Sequence, residues 1–239
     1  MLQDRPSKDL SADADGSVRA GRTGPHQVIA IDGPAASGKS SVAHELAQRL
    51  GFVYVNSGAM YRAITWHTLN HAIDPDDSAR IAQLVETSWV DGELKNGELR
   101  ILIDDVDPAK HLREDRVNEA VSRVSTVPEV RKILVDKMRS YARSYDLVME
   151  GRDIGSVVFP ETRYKFYIDA SPEVRSQRRA AQGHRDQIAT RDQADSSRPA
   201  SPLIVAKDAD VIDTSAMSIK QVVDEIIERL KARGLSVPH

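Results

Sequence analysis

The residues Gly33-Pro34-Ala35-Ala36-Ser37-Gly38-Lys39-Ser40 fulfil the pattern G-x-x-x-x-G-K-[ST] in full. Each fixed position has a chemical task. The two glycines let the backbone curl until successive N–H groups point inward at phosphate oxygens. The lysine reaches the β- and γ-phosphates of a nucleoside triphosphate, and the hydroxyl after it can ligate the magnesium ion that bridges them. Gly33 to Ser41 are therefore read as the cradle of a bound ATP, with Lys39 catalytic and Ser40 the metal-ligating hydroxyl.

Arginine is the other residue type whose placement suggests chemistry. Arg62, Arg131, Arg152, Arg178, Arg191 and Arg198 recur in or beside the segments that join the expected elements. Converging beside a phosphate-binding loop, they suit two phosphorylated substrates and a charge-rich transition state. Two other nucleotide-dependent readings lack their marks. There is no Asn-Lys-x-Asp for guanine recognition, and no apolar run ending in Asp-Glu of the motor type.

A phosphate loop works only between a strand and a helix. Val28 to Ile31 is an apolar run that reads as a buried parallel strand, and Ser41 to Leu50 carries Val42, Leu46 and Leu50 on one helical face before Gly51. Phe52 to Val55 reads as a second strand, followed by a helix to about Asn70 that Ser57 is expected to cap. A helix is expected over Asp76 to Ser88. Asn96-Gly97 between two extended runs then signals a hairpin, so residues 65–112 are expected to hold an insertion with a small antiparallel sheet.

Two helices follow, the second opening on Thr126-Val127-Pro128-Glu129, which has the form of a capping box. Leu147 to Met149, Tyr164 to Asp169 and Val211 to Asp213 complete five strands alternating with helices. A closing helix over Ser218 to Ala232 has Ser218 and Gln221 as its capping box. The fold class expected is α/β, a doubly wound five-stranded parallel sheet flanked by helices. Residues 183–202, polar and rich in Asp, Arg and Ser, are expected to form a short lid.

Composition sets outer bounds. The 239 residues, 40% hydrophobic and 29% charged, suit one sizeable domain, placed at residues 26–239. Residues 1–25 are polar, without hydrophobic periodicity or a secretory h-region, and are expected to be a disordered tail. A net charge of -3 disfavours a nucleic-acid partner. The absence of cysteine excludes disulfides and thiolate chemistry and suits the cytoplasm. No apolar run is long enough for a membrane span, and a monomer acting on small molecules is expected.

Four stretches together resemble the bacterial cytidylate kinases, which are P-loop nucleoside monophosphate kinases. They are Asp32-Gly33-Pro34 with the phosphate loop, Ser57-Gly58-Ala59-Met60-Tyr61-Arg62, Gly151 to Pro160 (GRDIGSVVFP), and Arg191 to Arg198 (RDQADSSR). The resemblance runs in order from about Gln27 to Ala232. It departs from the pattern in the additional N-terminal tail and in a segment from Gly183 to Arg191 that is short compared with long-lid members.

The resemblance implies transfer of the γ-phosphoryl group of ATP to CMP or dCMP, with magnesium. It implies that Ser57, Arg62, Arg152 and Arg198 hold the acceptor phosphate, that Asp195 with Arg191 faces the sugar, and that Ser122, Arg131 and Asp153 read the cytosine edge. Arg152, Arg191 and Arg198 join Lys39 as catalytic residues, and Arg178 joins the donor site. Two alternatives stay open from the residues themselves. One is a P-loop kinase acting on UMP, or on a hydroxylated metabolite with Asp32 or Asp153 as the base a hydroxyl acceptor calls for; the other is a nucleotide-dependent regulatory protein.

Overall fold

The structure is a computed structural model and describes residues 26–181 and 203–237. The expected tail (1–25) and the whole of the expected lid (183–202), with Arg191, Asp195 and Arg198, lie outside the described residues.

Strand β1 (Val28–Asp32) is buried at every position because it lies inside the sheet with helices on both faces. Its alternate side chains feed two cores. Ile29 and Ile31 pack with Leu46 and Leu50 of α1 (Lys39–Leu50) and Val223 and Ile226 of α7 (Ile219–Ala232). Ala30 faces the opposite layer with Ile64 of α2 (Ser57–Asn70) and Leu134 of α5 (Pro128–Tyr141).

The sheet has seven strands in the order β3-β4-β2-β5-β1-β6-β7. The remaining strands are β2 (Val53–Asn56), β3 (Val90–Lys95), β4 (Glu98–Ile103), β5 (Leu147–Gly151), β6 (Tyr164–Asp169) and β7 (Asp210–Asp213). The five strands expected from sequence are the parallel set β2-β5-β1-β6-β7. The hairpin β3–β4 forms as Asn96-Gly97 predicts, with φ of 53° and 74° at its two turn residues. It is not a separate small sheet, however. β4 also pairs in parallel with β2, Tyr54 opposite Glu98 and Val55 opposite Leu99, so the hairpin extends the main sheet at one edge.

Helix starts differ from expectation in two places. Asn56, not Ser57, caps α2, accepting from Ala59 N–H at 2.9 Å, while Ser57 Oγ donates to the Glu150 carbonyl at 2.7 Å. The Thr126–Glu129 box does not form at α5. The preceding helix α4 (Asp115–Val124) ends so close by that Thr126 Oγ1 donates back to Arg123 O at 2.7 Å. The Ser218–Gln221 box on α7 is present in both directions. Helices α3 (Ser78–Thr87) and α6 (Pro172–Ala181) complete the set among the described residues, none of whose helices is long and apolar enough to cross a membrane. A π-helical turn, Ile154–Val158, follows β5 and had no signal in the sequence pattern.

Candidate active site

Strands β1, β2 and β5 end at one edge of the sheet, and their exits open on a cleft of about 560 Å³. In an open α/β sheet this is where ligands gather.

The phosphate loop floors one end. Ala36 (φ 59°) and Gly38 (φ 94°) take left-handed conformations, which turns successive amides toward a common centre and makes an anion-binding nest. Gly33 is required for a different reason: a Cβ there would stand 2.1 Å from the Ile168 carbonyl of β6. Lys39 is buried, donates to Pro34 O at 3.2 Å and lies 4.0 Å from Glu150 Oε2. Ser37 Oγ is buried without a hydrogen-bond partner among the described residues, as suits a hydroxyl meant for a phosphate oxygen.

Side chains from α6 and the end of β7 brace this loop. Arg178 donates to Ser37 O at 3.0 Å, to Thr214 Oγ1 at 3.1 Å and to Thr214 O at 2.9 Å, and Thr214 Oγ1 donates to Ser37 O at 2.9 Å. Arg178 thus stands beside the loop as expected, held by carbonyls. Thr214 was not singled out from sequence; a lone threonine after a short strand carries no signal until the fold brings it to Ser37.

At the other end, Ser57 and Arg62 sit in the first two turns of α2. Arg62 donates to Gly58 O at 3.0 Å and to Asn118 Oδ1 at 3.5 Å. Ser122, Arg152 and Asp153 line the same cleft, Arg152 donating to Gly151 O at 3.4 Å. Asp153 is buried and paired with Arg131, whose guanidinium also donates to Ser125 O at 3.4 Å and lies 5.6 Å from the Tyr61 ring centroid. Arg131 itself stands one layer behind the cleft surface, reaching it through Asp153, Ser125 and Tyr61. Its place in the first turn of α5, unfavourable for a cation at a helix N-terminus, is explained by that pair.

Asp32 ends β1 between the two halves. Burial pushes its carboxyl up to about 6, against the opposing pull of two backbone amides. Those amides, Ile154 and Gly155, donate to its two oxygens at 2.8 and 2.7 Å. Asp32 therefore pins the π-turn that presents Arg152 and Asp153, and unlike those two it is not among the residues that line the cleft.

Glu150 is the residue that sequence reading passed over. It lies beside Ile31 in register, almost fully buried at the carboxyl end of β5, and lines the cleft with Lys39. Its signal was present: an acid closing the apolar run Leu147-Val148-Met149. The motor-type Asp-Glu mark is absent, but a single carboxylate on the strand next to the phosphate loop offers an oxygen of the same kind.

The chain is similar to known proteins over most of its length. Residues 29–232 match the family model described as cytidylate kinase. A cytidylate kinase of Pelotomaculum thermopropionicum is 41% identical over 216 residues, covering 85% of this chain and 96% of that protein. One from Bdellovibrio bacteriovorus is 42% identical over 211 residues, covering 85% and 97%. Among solved structures, TT1252 of Thermus thermophilus aligns with a TM-score of 0.49 at 16% identity, over 89% of this chain and 100% of that one.

Proposed function

The chain belongs to the cytidylate kinase family, and from that membership we propose how its residues carry out the ATP-dependent phosphorylation of CMP and dCMP. One observation carries the reading: a phosphate loop and a second set of polar and cationic side chains, Ser57, Arg62, Arg152 and Asp153, line one cleft. That arrangement suits two phosphorylated substrates meeting end to end.

The donor triphosphate lies in the nest of Gly33 to Ser41, with Lys39 on its transferring end. Ser40 and Glu150 fit a hard divalent cation, since both offer oxygen ligands from the cleft wall. Bound magnesium would neutralise charge on the β- and γ-phosphates. The described residues hold no cluster of three or more His, Cys, Asp or Glu suited to a metal, so phosphate oxygens and water would complete its shell.

The acceptor phosphate rests against Ser57, Arg62 and Arg152. Its second pKa is about 6, so at neutral pH it is mostly a dianion and already a competent nucleophile. No general base is needed, which agrees with Asp32 having both oxygens engaged by amides. The barrier is the approach of two anions, and arginines with a cation lower it by charge stabilisation and alignment. Asp153, held by Arg131, faces the base. An ionised carboxylate accepts from the N4 amino group of cytosine and opposes O4 of uracil. Arg191, Asp195 and Arg198 are assigned to the sugar and phosphates by the resemblance alone, and Arg178 to the donor side.

A coupled ADP-release assay over a panel of nucleoside monophosphates tests the reading. CMP and dCMP should lead, with UMP at least ~10-fold lower in kcat/KM because setting O4 of uracil against the buried Asp153 carboxylate costs about 1–3 kcal/mol. Faster turnover with UMP or AMP than with CMP would overturn the acceptor assignment.

A further inference from the structure

We propose that Asn56 and Tyr54 are positioning residues: with Glu150 they form a hydrogen-bonded relay that ties the acceptor end of the cleft to Lys39 at the donor end. The inference rests on the functional reading above and goes beyond it in assigning a coupling role to Tyr54 and Asn56, to which that reading gives no part.

The relay can be followed atom by atom. The Ala59 N–H in the first turn of α2 donates to Asn56 Oδ1 at 2.9 Å, and Asn56 Nδ2 donates to the Tyr54 hydroxyl oxygen at 3.2 Å. The Tyr54 hydroxyl donates to Glu150 Oε1 at 2.8 Å, and Glu150 Oε2 lies 4.0 Å from Lys39 Nζ. Every donor points the same way, from α2 toward the carboxylate, so the bonds polarise one another.

Packing alone does not account for this chain. The Tyr54 ring already packs edge-on to His44, 5.2 Å between centroids, and phenylalanine would satisfy that contact. A buried hydroxyl and a buried carboxylate cost free energy unless they satisfy each other. A second tie runs in parallel: Ser57 Oγ, also from the first turn of α2, donates to the backbone carbonyl of Glu150 at 2.7 Å. Both the side chain and the backbone of Glu150 are thus fixed to the helix end that receives the acceptor phosphate. A ligand that holds that helix end therefore holds Glu150, and with it the electrostatic partner of Lys39. A substrate that orders one end of the relay spares the other the cost of ordering it, so each should tighten the other, and by linkage to the same factor.

Calorimetric titration of a non-hydrolysable ATP analogue with magnesium, without and with saturating CMP, tests the relay. In the wild type CMP should tighten the analogue at least ~5-fold, the lower end of ordinary coupling. Tyr54→Phe keeps the ring and removes the donor; it should bring that factor to about one and lower kcat about tenfold. Asn56→Ser keeps a capping oxygen for Ala59 but is too short to reach Tyr54, and should likewise lose coupling. It decides the matter if Tyr54→Phe fails to fold. A merely structural role would lower Tm and leave the coupling factor at its wild-type value. Wild-type coupling in the folded variants, or no coupling in the wild type, would overturn the relay. A wild-type enzyme that releases no ADP in response to CMP would instead overturn the functional reading itself.

Discussion

At the residue scale, charge placed in a partly dehydrated cleft does the work, and single side chains test it. Lys39→Met replaces a buried lysine by a side chain of similar length and leaves both cores untouched. It should lower kcat at least ~100-fold in the ADP-release assay if Lys39 serves the transferring group as proposed, with the fold retained but Tm lowered, because buried Glu150 loses the cation 4.0 Å away. Arg131→Met should shrink the CMP:UMP ratio in kcat/KM, mainly by damaging CMP turnover. The ion pair with Asp153 adds a consequence for stability: the change leaves a buried carboxylate without its cation, at a cost of about 3 kcal/mol, visible in urea unfolding. An unchanged ratio would remove Arg131 from base recognition.

Asp32 makes a pH-dependent prediction. Its folded carboxyl titrates at about 6 and its ordinary value is 3.8, so between the two the native state binds more protons than the unfolded chain. This group's contribution to stability therefore falls as pH rises through that window. The stability advantage of wild type over Asp32→Asn should shrink between about pH 4 and about pH 7. Denaturant midpoints measured across the range check the sign, and an advantage that grows with pH would contradict it.

At the element scale, the junction of β5 with the π-turn is the tightest part of the site. A Cβ on Gly151 would stand 2.5 Å from Ser57 Oγ and 2.7 Å from Ile154 Cγ1. Gly151→Ala must turn the Ser57 hydroxyl off the Glu150 carbonyl or displace Ile154 and with it the turn that follows Arg152 and Asp153. Either movement separates groups that need to be held within a fraction of an ångström. Turnover should fall at least ~10-fold while Tm drops only modestly, since the displaced hydroxyl can turn to solvent in the cleft. Normal activity in Gly151→Ala would show that Ser57 and the turn are not held against each other. The two capping corrections belong to this scale too. Ser57 and Thr126 each had the right chemistry for a cap, but a carbonyl brought close by another element, or by the preceding helix, captured the hydroxyl.

At the scale of the whole molecule, the family match begins at residue 29, and β1 itself begins at Val28. Deleting Met1 to Thr23 should leave kcat and Tm within experimental error of the full chain, because the polar segment has few apolar residues with which to dock. A loss of several degrees in Tm would show that the segment packs on the domain. The hairpin is bound into the sheet through β2 and shares the α2–α5 core, Leu99, Ile101 and Ile103 packing with Ile64 and Leu134. The part of the chain that bears the proposed acceptor residues is therefore continuous with the phosphate-loop sheet.

What the sequence determined by itself was whatever depends on contiguous residues. The phosphate loop, the strand before it, the helix after it and the Asn96-Gly97 turn are local constraints, where φ angles, apolar periodicity and motif spacing all act over a few positions. The family resemblance lies in the same class, being carried by short runs such as Gly151 to Pro160. Tertiary structure decided the pairings between distant positions. Arg131 with Asp153, Asp32 with the amides of Ile154 and Gly155, Thr214 with Ser37, and Tyr54 with Glu150 are separated by between 22 and 177 residues. No periodicity records such a partner. The register of parallel strands, set by packing on both faces of the sheet, is what brings Glu150 beside Ile31 and thereby beside Lys39.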